Sequence, residues 1–193
     1  MVRSDSSIAS KPFPGQSVSL ARRLGTTTHR SLLLHRLGRL GLETPEKLVA
    51  LAESRGLRYY ASTLAAPGTA DGMPIRAVTD EELAIALLHP SLPWDPQRIR
   101  LAAAVLAGPG VRASVIARLA VMERSASVVR EIALAGQAEE PDNSFWAALL
   151  ALLPPTAPVP PGVLPHRSRY MAITGRSRPG TVPLRQWVRP LLD

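Results

Sequence analysis

The chain has 193 residues, 46% of them hydrophobic, and carries 23 Lys plus Arg against 15 Asp plus Glu for a net charge of +8. That is the length of one domain with enough apolar material for a core, which excludes wholesale disorder. It has no Cys, which excludes disulfide frameworks, thiolate zinc sites and cysteine nucleophiles, and its longest unbroken apolar run, Phe145–Leu153, is nine residues, against the ~20 that a membrane-spanning helix needs.

The charge is unevenly placed. Residues 1–42 hold seven basic side chains against Asp5, residues 43–153 ten against 13 acidic, and residues 154–193 six against Asp193. Two basic ends around a mildly acidic centre suggest an anionic partner for the ends. Lys11 and Lys47 are the only lysines beside 21 arginines. With so much Ala, Gly and Pro, that usage reads as codon bias in a GC-rich bacterial genome rather than as an Arg-specific task.

Residues 1–28 are rich in Ser and Thr, with Asp5 their one acid and no apolar period, so they are expected to be a disordered tail. A helical pattern starts within 29–42, where Leu33, Leu37 and Leu40 share one face with Leu34 beside it. Residues 1–42 thus read as a flexible basic arm ending in an amphipathic helix. A Ser/Arg-rich, acid-poor start also has the composition of an organelle transit peptide over 1–41, which would put the protein in an organelle matrix instead of the bacterial cytoplasm.

Residues 43–153 read as a helical core of about six short helices. Thr44-Pro45-Glu46 opens one, with Leu48, Leu51 and Ala52 as its stripe and Gly56 as its stop. Residues 57–75 read as irregular. Thr79 and Glu82 form a capping box, and Asp80, Glu81 and Glu82 suit the helix N-terminus; His89-Pro90 ends that helix, where the dipole favours a histidine. Asp95-Pro96 starts the next, broken at Gly108-Pro109-Gly110. Val111 to Met122 marks another, Val128 to Gly136 one more with Gly136 as its stop, and Asp142 or Asn143 caps the last, which carries Phe145, Trp146 and Leu149. Helices this short are marginal alone and must pack on one another. The fold class is therefore mainly α: an irregular helical bundle or a short HEAT-like stack, the latter suggested by a loose match of Ala104–Gly108 to Ile132–Gly136.

Six prolines within 154–165 make a semi-rigid linker. Residues 166–193 follow as a basic extension with a candidate β-hairpin around the loop Gly175–Gly180. Paired at Thr174 and Thr181, it puts Met171, Ile173, Val182, Leu184 and Val188 on one face and Tyr170, Arg185 and Trp187 on the other. Aromatic rings among arginines hold single-stranded nucleic acid, so Arg167, Arg169, Tyr170, Arg176, Arg178, Arg185 and Trp187 are the candidate contacts.

No catalytic, cofactor-binding or metal-binding residue can be named from the sequence, and no cofactor is expected. His29, His35, His89 and His166 show no ligand spacing, and no phosphate-binding Gly loop or nucleophile turn is present. Arg98, Arg100, Arg112, Arg118 and Arg130 fall on successive helices, either as a basic stripe or, more simply, as solvated outer-face residues diluted by Glu123 and Glu131. Trp94 and Trp146 read as core anchors. The expected role is a non-catalytic protein-interaction module. The alternatives are a nucleic-acid or ribosome accessory protein acting through its basic termini, and an enzyme whose site assembles from distant residues.

Overall fold

The expected N-caps form where the short polar side chains stand. In the computed structural model, which describes residues 18–26, 30–55, 77–108 and 110–165, the side chain of Thr44 accepts from the Lys47 amide, Asp95 from Gln97 and Asn143 from Phe145. Thr79 and Glu82 complete a reciprocal capping box. Eight helices result among the described residues: α1 Leu20–Leu24, α2 Leu32–Arg39, α3 Pro45–Ser54, α4 Asp80–Leu87, α5 Pro96–Leu106, α6 Ala113–Met122, α7 Ala126–Glu139 and α8 Ser144–Leu152. The protein is mainly α, and no strand occurs among the described residues.

α4 and α5 make the centre. Every residue from Leu83 to Leu87 is fully buried, and all of α5 from Arg98 to Leu106 is buried. α3 lies against both, α2 against α4, and α6 against the other side of α4. α7 and α8 complete the far layer on α6. Two buried surfaces explain α5's run Ala102-Ala103-Ala104: small side chains let the neighbouring helices close on it from both sides.

Four features depart from the sequence expectation. First, the stretch Val18–Thr26 of the expected tail is packed. Leu20 and Ala21 are buried, and their amides donate to Leu92 O at 3.0 Å and Pro90 O at 2.7 Å. A five-residue helix held by backbone bonds leaves no apolar period to detect. Second, Gly136 does not stop α7, which runs on to Glu139. Its missing side chain admits the buried Trp146 ring, since a Cβ there would overlap the indole atoms Cδ2 and Cε2. Third, Arg98 and Arg100 are not on an outer face but are 1% and 8% exposed. Fourth, Glu123 is buried rather than solvated. The Gly56 stop and the segment 57–75 lie outside the described residues.

Two substitutions test this packing. Leu20→Ala should cost about 2–5 kcal/mol in urea unfolding, the range for a buried leucine; a truly free tail would make it neutral. Gly136→Ala gains helix propensity of about 1 kcal/mol, but the rigid, enclosed indole cannot yield. The net effect should be a loss of about 1–3 kcal/mol, read from the same unfolding curves.

Candidate functional site

Three polar clusters organise the molecule. The first surrounds the N-terminus of α4. Asp80, Glu81 and Glu82 are about 100° apart around the helix, and each meets an arginine from a different element. Asp80 pairs with Arg55 at the end of α3, Glu81 with Arg112 at the start of α6, and Glu82 with Arg36 of α2. Arg36 and Arg55 also donate to the carbonyls of Ala77 and Val78, which lead into α4. The acidic triplet thus caps a helix and ties three others to it. At the opposite end of α4, the buried Arg98 guanidinium donates to Leu87 O at 2.8 Å and to Pro93 O. Burial pushes Arg98 down to about 10, against the pull of Asp95 and Glu46, so it stays charged at neutral pH.

The second cluster joins His89, Ser91 and Glu123. The Ser91 amide donates to His89 Nδ1 at 3.1 Å, and Ser91 Oγ stands 2.7 Å from the same nitrogen. Nδ1 therefore carries the lone pair and Nε2 the proton in the neutral ring. Nε2 faces Glu123 Oε2 at 3.3 Å, and Glu123 Oε1 accepts from the Leu33 amide in the first turn of α2 at 3.1 Å. Serine, histidine and carboxylate in sequence resemble a nucleophile relay. The Ser91 hydroxyl and amide share the one Nδ1 lone pair, and the other oxygen of Glu123 accepts from the Leu33 amide, so the same groups also tie three segments together. The cluster fastens α2, the α4–α5 loop and the end of α6. Sequence reasoning missed it because the partners lie 34 residues apart, although His89 directly follows the apolar run from Leu83 to Leu88.

The third cluster is at Trp94, on the loop between α4 and α5. Its amide donates to Val18 O at 2.8 Å, and its indole Nε1 donates to Val163 O at 2.6 Å. One residue thus holds both the first and the last stretches of the described chain. The Arg23 guanidinium lies over the indole ring, 3.9 Å from its centroid. Arg22 and Arg23 are both exposed, in the last turn of α1. Trp94 is half-buried and so is both anchor and surface, whereas Trp146 is an anchor alone, its Nε1 bonded to Glu140 at 2.8 Å.

Of the five arginines expected on outer faces or in a stripe, Arg112 and Arg118 are exposed and Arg130 is half-buried with a reach of 3.5 Å to Leu150 O, whereas Arg98 and Arg100 are interior. The nucleic-acid candidates Arg167, Arg169, Tyr170, Arg176, Arg178, Arg185 and Trp187 lie outside the described residues, as does the hairpin that would carry them. Among the described residues, no three potential ligands gather to hold a metal, and no helix is long and apolar enough to cross a membrane. No family model, no curated protein and no solved structure matches the chain.

The Glu81–Arg112 pair has a pH signature. Burial alone would raise the Glu81 carboxyl. The Arg112 guanidinium, the backbone of Glu81 and Arg112 and the Thr79 hydroxyl outweigh burial and hold the group below the usual range. Such a group adds stability above its unfolded titration range and loses it as pH falls through the lowered value. The Arg112 side chain is 66% exposed, so the pair is screened. Arg112→Ala should cost about 1 kcal/mol or less at pH 7, and unfolding at pH 3 should bring the two proteins closer together.

Proposed function

We propose that the chain is a non-catalytic helical interaction module that takes an anionic partner through its basic flanks. One observation carries this: the polar chemistry of the helical core is largely engaged within its own chain. Arg36, Arg55, Arg98 and Arg112 bond acids or carbonyls of their own chain, and His89, Ser91 and Glu123 bond one another and α2. The described residues hold 13 basic and 12 acidic side chains. Nearly all of the +8 net charge therefore comes from the rest of the sequence, with six arginines against Asp193 in residues 166–193. A core neutralised from within beside a strongly basic flank suits a binding scaffold, because the flank supplies steering and contact while the core supplies a rigid mount. The base usage fits a bacterial cytoplasm as its setting.

Affinity capture tests the reading. Full-length protein is immobilised, exposed to cell extract with and without nuclease pretreatment, and washed with rising salt. The expected result is a defined partner, protein or nucleic acid, that salt releases and that the fourfold variant Arg167→Glu, Arg169→Glu, Arg176→Glu, Arg178→Glu no longer retains. Capture that survives in that variant, or an empty column at low salt, rejects the proposal.

A further inference from the structure

The helical core has a face of its own that the basic flanks do not account for. α6 buries Ile116, Ala117 and Ala120 as it packs on α4, α7 and α8. Its other side turns to solvent. At about 100° per residue, Ser114, Arg118, Val121 and Met122 fall on that side, flanked by Val115 and Leu119. The first four are exposed and the flanking two half-buried. Val121 is 51% and Met122 55% exposed, and Leu32 in the first turn of α2 is 70% exposed. The bond from the Leu33 amide to Glu123 at 3.1 Å brings Leu32 to the end of α6. The covalent path through that bond keeps the backbones of Leu32 and Met122 within about 12 Å. α6 itself contains no acid. Glu81 and Glu123, at its two ends, are buried and bonded to Arg112 and to the Leu33 amide. Along residues 30–34 and 112–124, every exposed charged side chain is basic: Arg30, Arg112, Arg118 and Arg124.

We infer that this face rests on the surface of an anionic lipid bilayer. Leu32, Val121 and Met122 enter the boundary between headgroups and acyl chains, and the arginines meet lipid phosphates. The charge complementarity is one-sided: cations surround the apolar side chains and the adjoining acids are buried. A bilayer takes in apolar side chains that stand out singly, whereas a protein partner has to offer each one a well-packed pocket. Arg118 lies among the apolar positions, where its long stem can follow them while the guanidinium bends back to the headgroups. Nucleic acid would use the arginines through its phosphates and leave three apolar side chains in water. The chain's net charge of +8 adds attraction toward an anionic leaflet. At ten residues, α6 is half the ~20 needed to cross the hydrocarbon, so the contact is with the surface and not across it. The side chains involved belong to the core, so this contact stands apart from binding through the flanks.

The test is flotation of the full chain with two kinds of vesicle, at several salt concentrations: phosphatidylcholine alone, and equal parts phosphatidylcholine and phosphatidylglycerol. Binding should be about tenfold tighter or more to the anionic vesicles. It should weaken as salt rises without vanishing, because salt screens the charges and not the apolar contact. The triple variant Leu32→Gln, Val121→Gln, Met122→Gln keeps good helix formers and should weaken binding about tenfold or more. Arg118→Glu should weaken it severalfold. All four side chains are exposed, so thermal melting of these variants should stay close to that of the parent. Because the chain has no Cys, a thiol-linked NBD dye on Met122→Cys reports from a single place. Its emission should rise and shift to the blue with anionic vesicles, while the same dye on Glu46→Cys, exposed on α3, should not respond. No binding to anionic vesicles at low salt overturns the inference, as does binding indifferent to the triple change. A silent dye at 122, or equal responses at both positions, overturns it too. Binding that the fourfold flank variant abolishes and the triple variant retains overturns it while leaving the interaction-module reading intact. A protein captured from extract through Leu32, Val121 and Met122, with vesicles inert, overturns it in favour of a protein partner for the same face.

Discussion

Helix α4 is gripped at both ends by arginine, and the rest of the fold is arranged around that grip. An eight-residue helix has too few internal bonds to persist alone. This one also sits at the centre of the molecule, with its C-terminal end buried. Three arginines from α2, the end of α3 and the α6 start meet its acids, and Arg98 of α5 meets its last carbonyl, Leu87 O. The apolar residues between these ends are fully enclosed. Each arginine comes from a different part of the chain, so satisfying α4 is the same event as assembling its neighbours. Loss of one buried partner would leave charge stranded in the interior, which costs far more than a surface pair returns.

This explains which features were legible in the sequence. N-caps are local: a short oxygen-bearing side chain, a proline and an acid within four residues decide them. Thr44, Thr79 and Asp95 could therefore be read directly, and Asn143 as one of two candidates with Asp142, and with them the mainly helical class. The apolar face of α2 was equally plain, since Leu33 and Leu37 recur at helical spacing. Distant events were not legible. Nothing near Gly136 announces that Trp146 will need its space, so a glycine in a helix looked like an end. Nothing near Arg98 announces that two carbonyls await it inside, so charge looked like exposure.

Of the candidate site, even less could be read ahead. Trp94 was recognisable as an anchor because of its size and its place beside a cap. That it would hold two remote stretches at once depends on backbone carbonyls, which every residue has and no sequence distinguishes. Leu20 and Ala21 belonged to a stretch without periodicity, and their burial follows only from the loop Pro90–Trp94 that receives them. The converse holds for His89, Ser91 and Glu123: three residue types that suggest chemistry are brought together by distant packing, and their hydrogen bonds tie α2, the α4–α5 loop and the end of α6.

The bond between the Leu33 amide and Glu123, spanning 90 residues, has a consequence for how the protein comes to be made. At the usual pace of about 5–20 residues per second, the ribosome delivers Glu123 roughly ten seconds after Leu33 has been synthesised. α1 waits a similar interval for the Pro90–Trp94 loop that binds it. Through that time the leucines of the first two helices have no surface to bury against, and closing such long loops comes late in folding. The first two helices are thus completed only once the α4–α5 loop and the end of α6 have been made, and until then the faces that Leu20 and Leu33 bury stay uncovered.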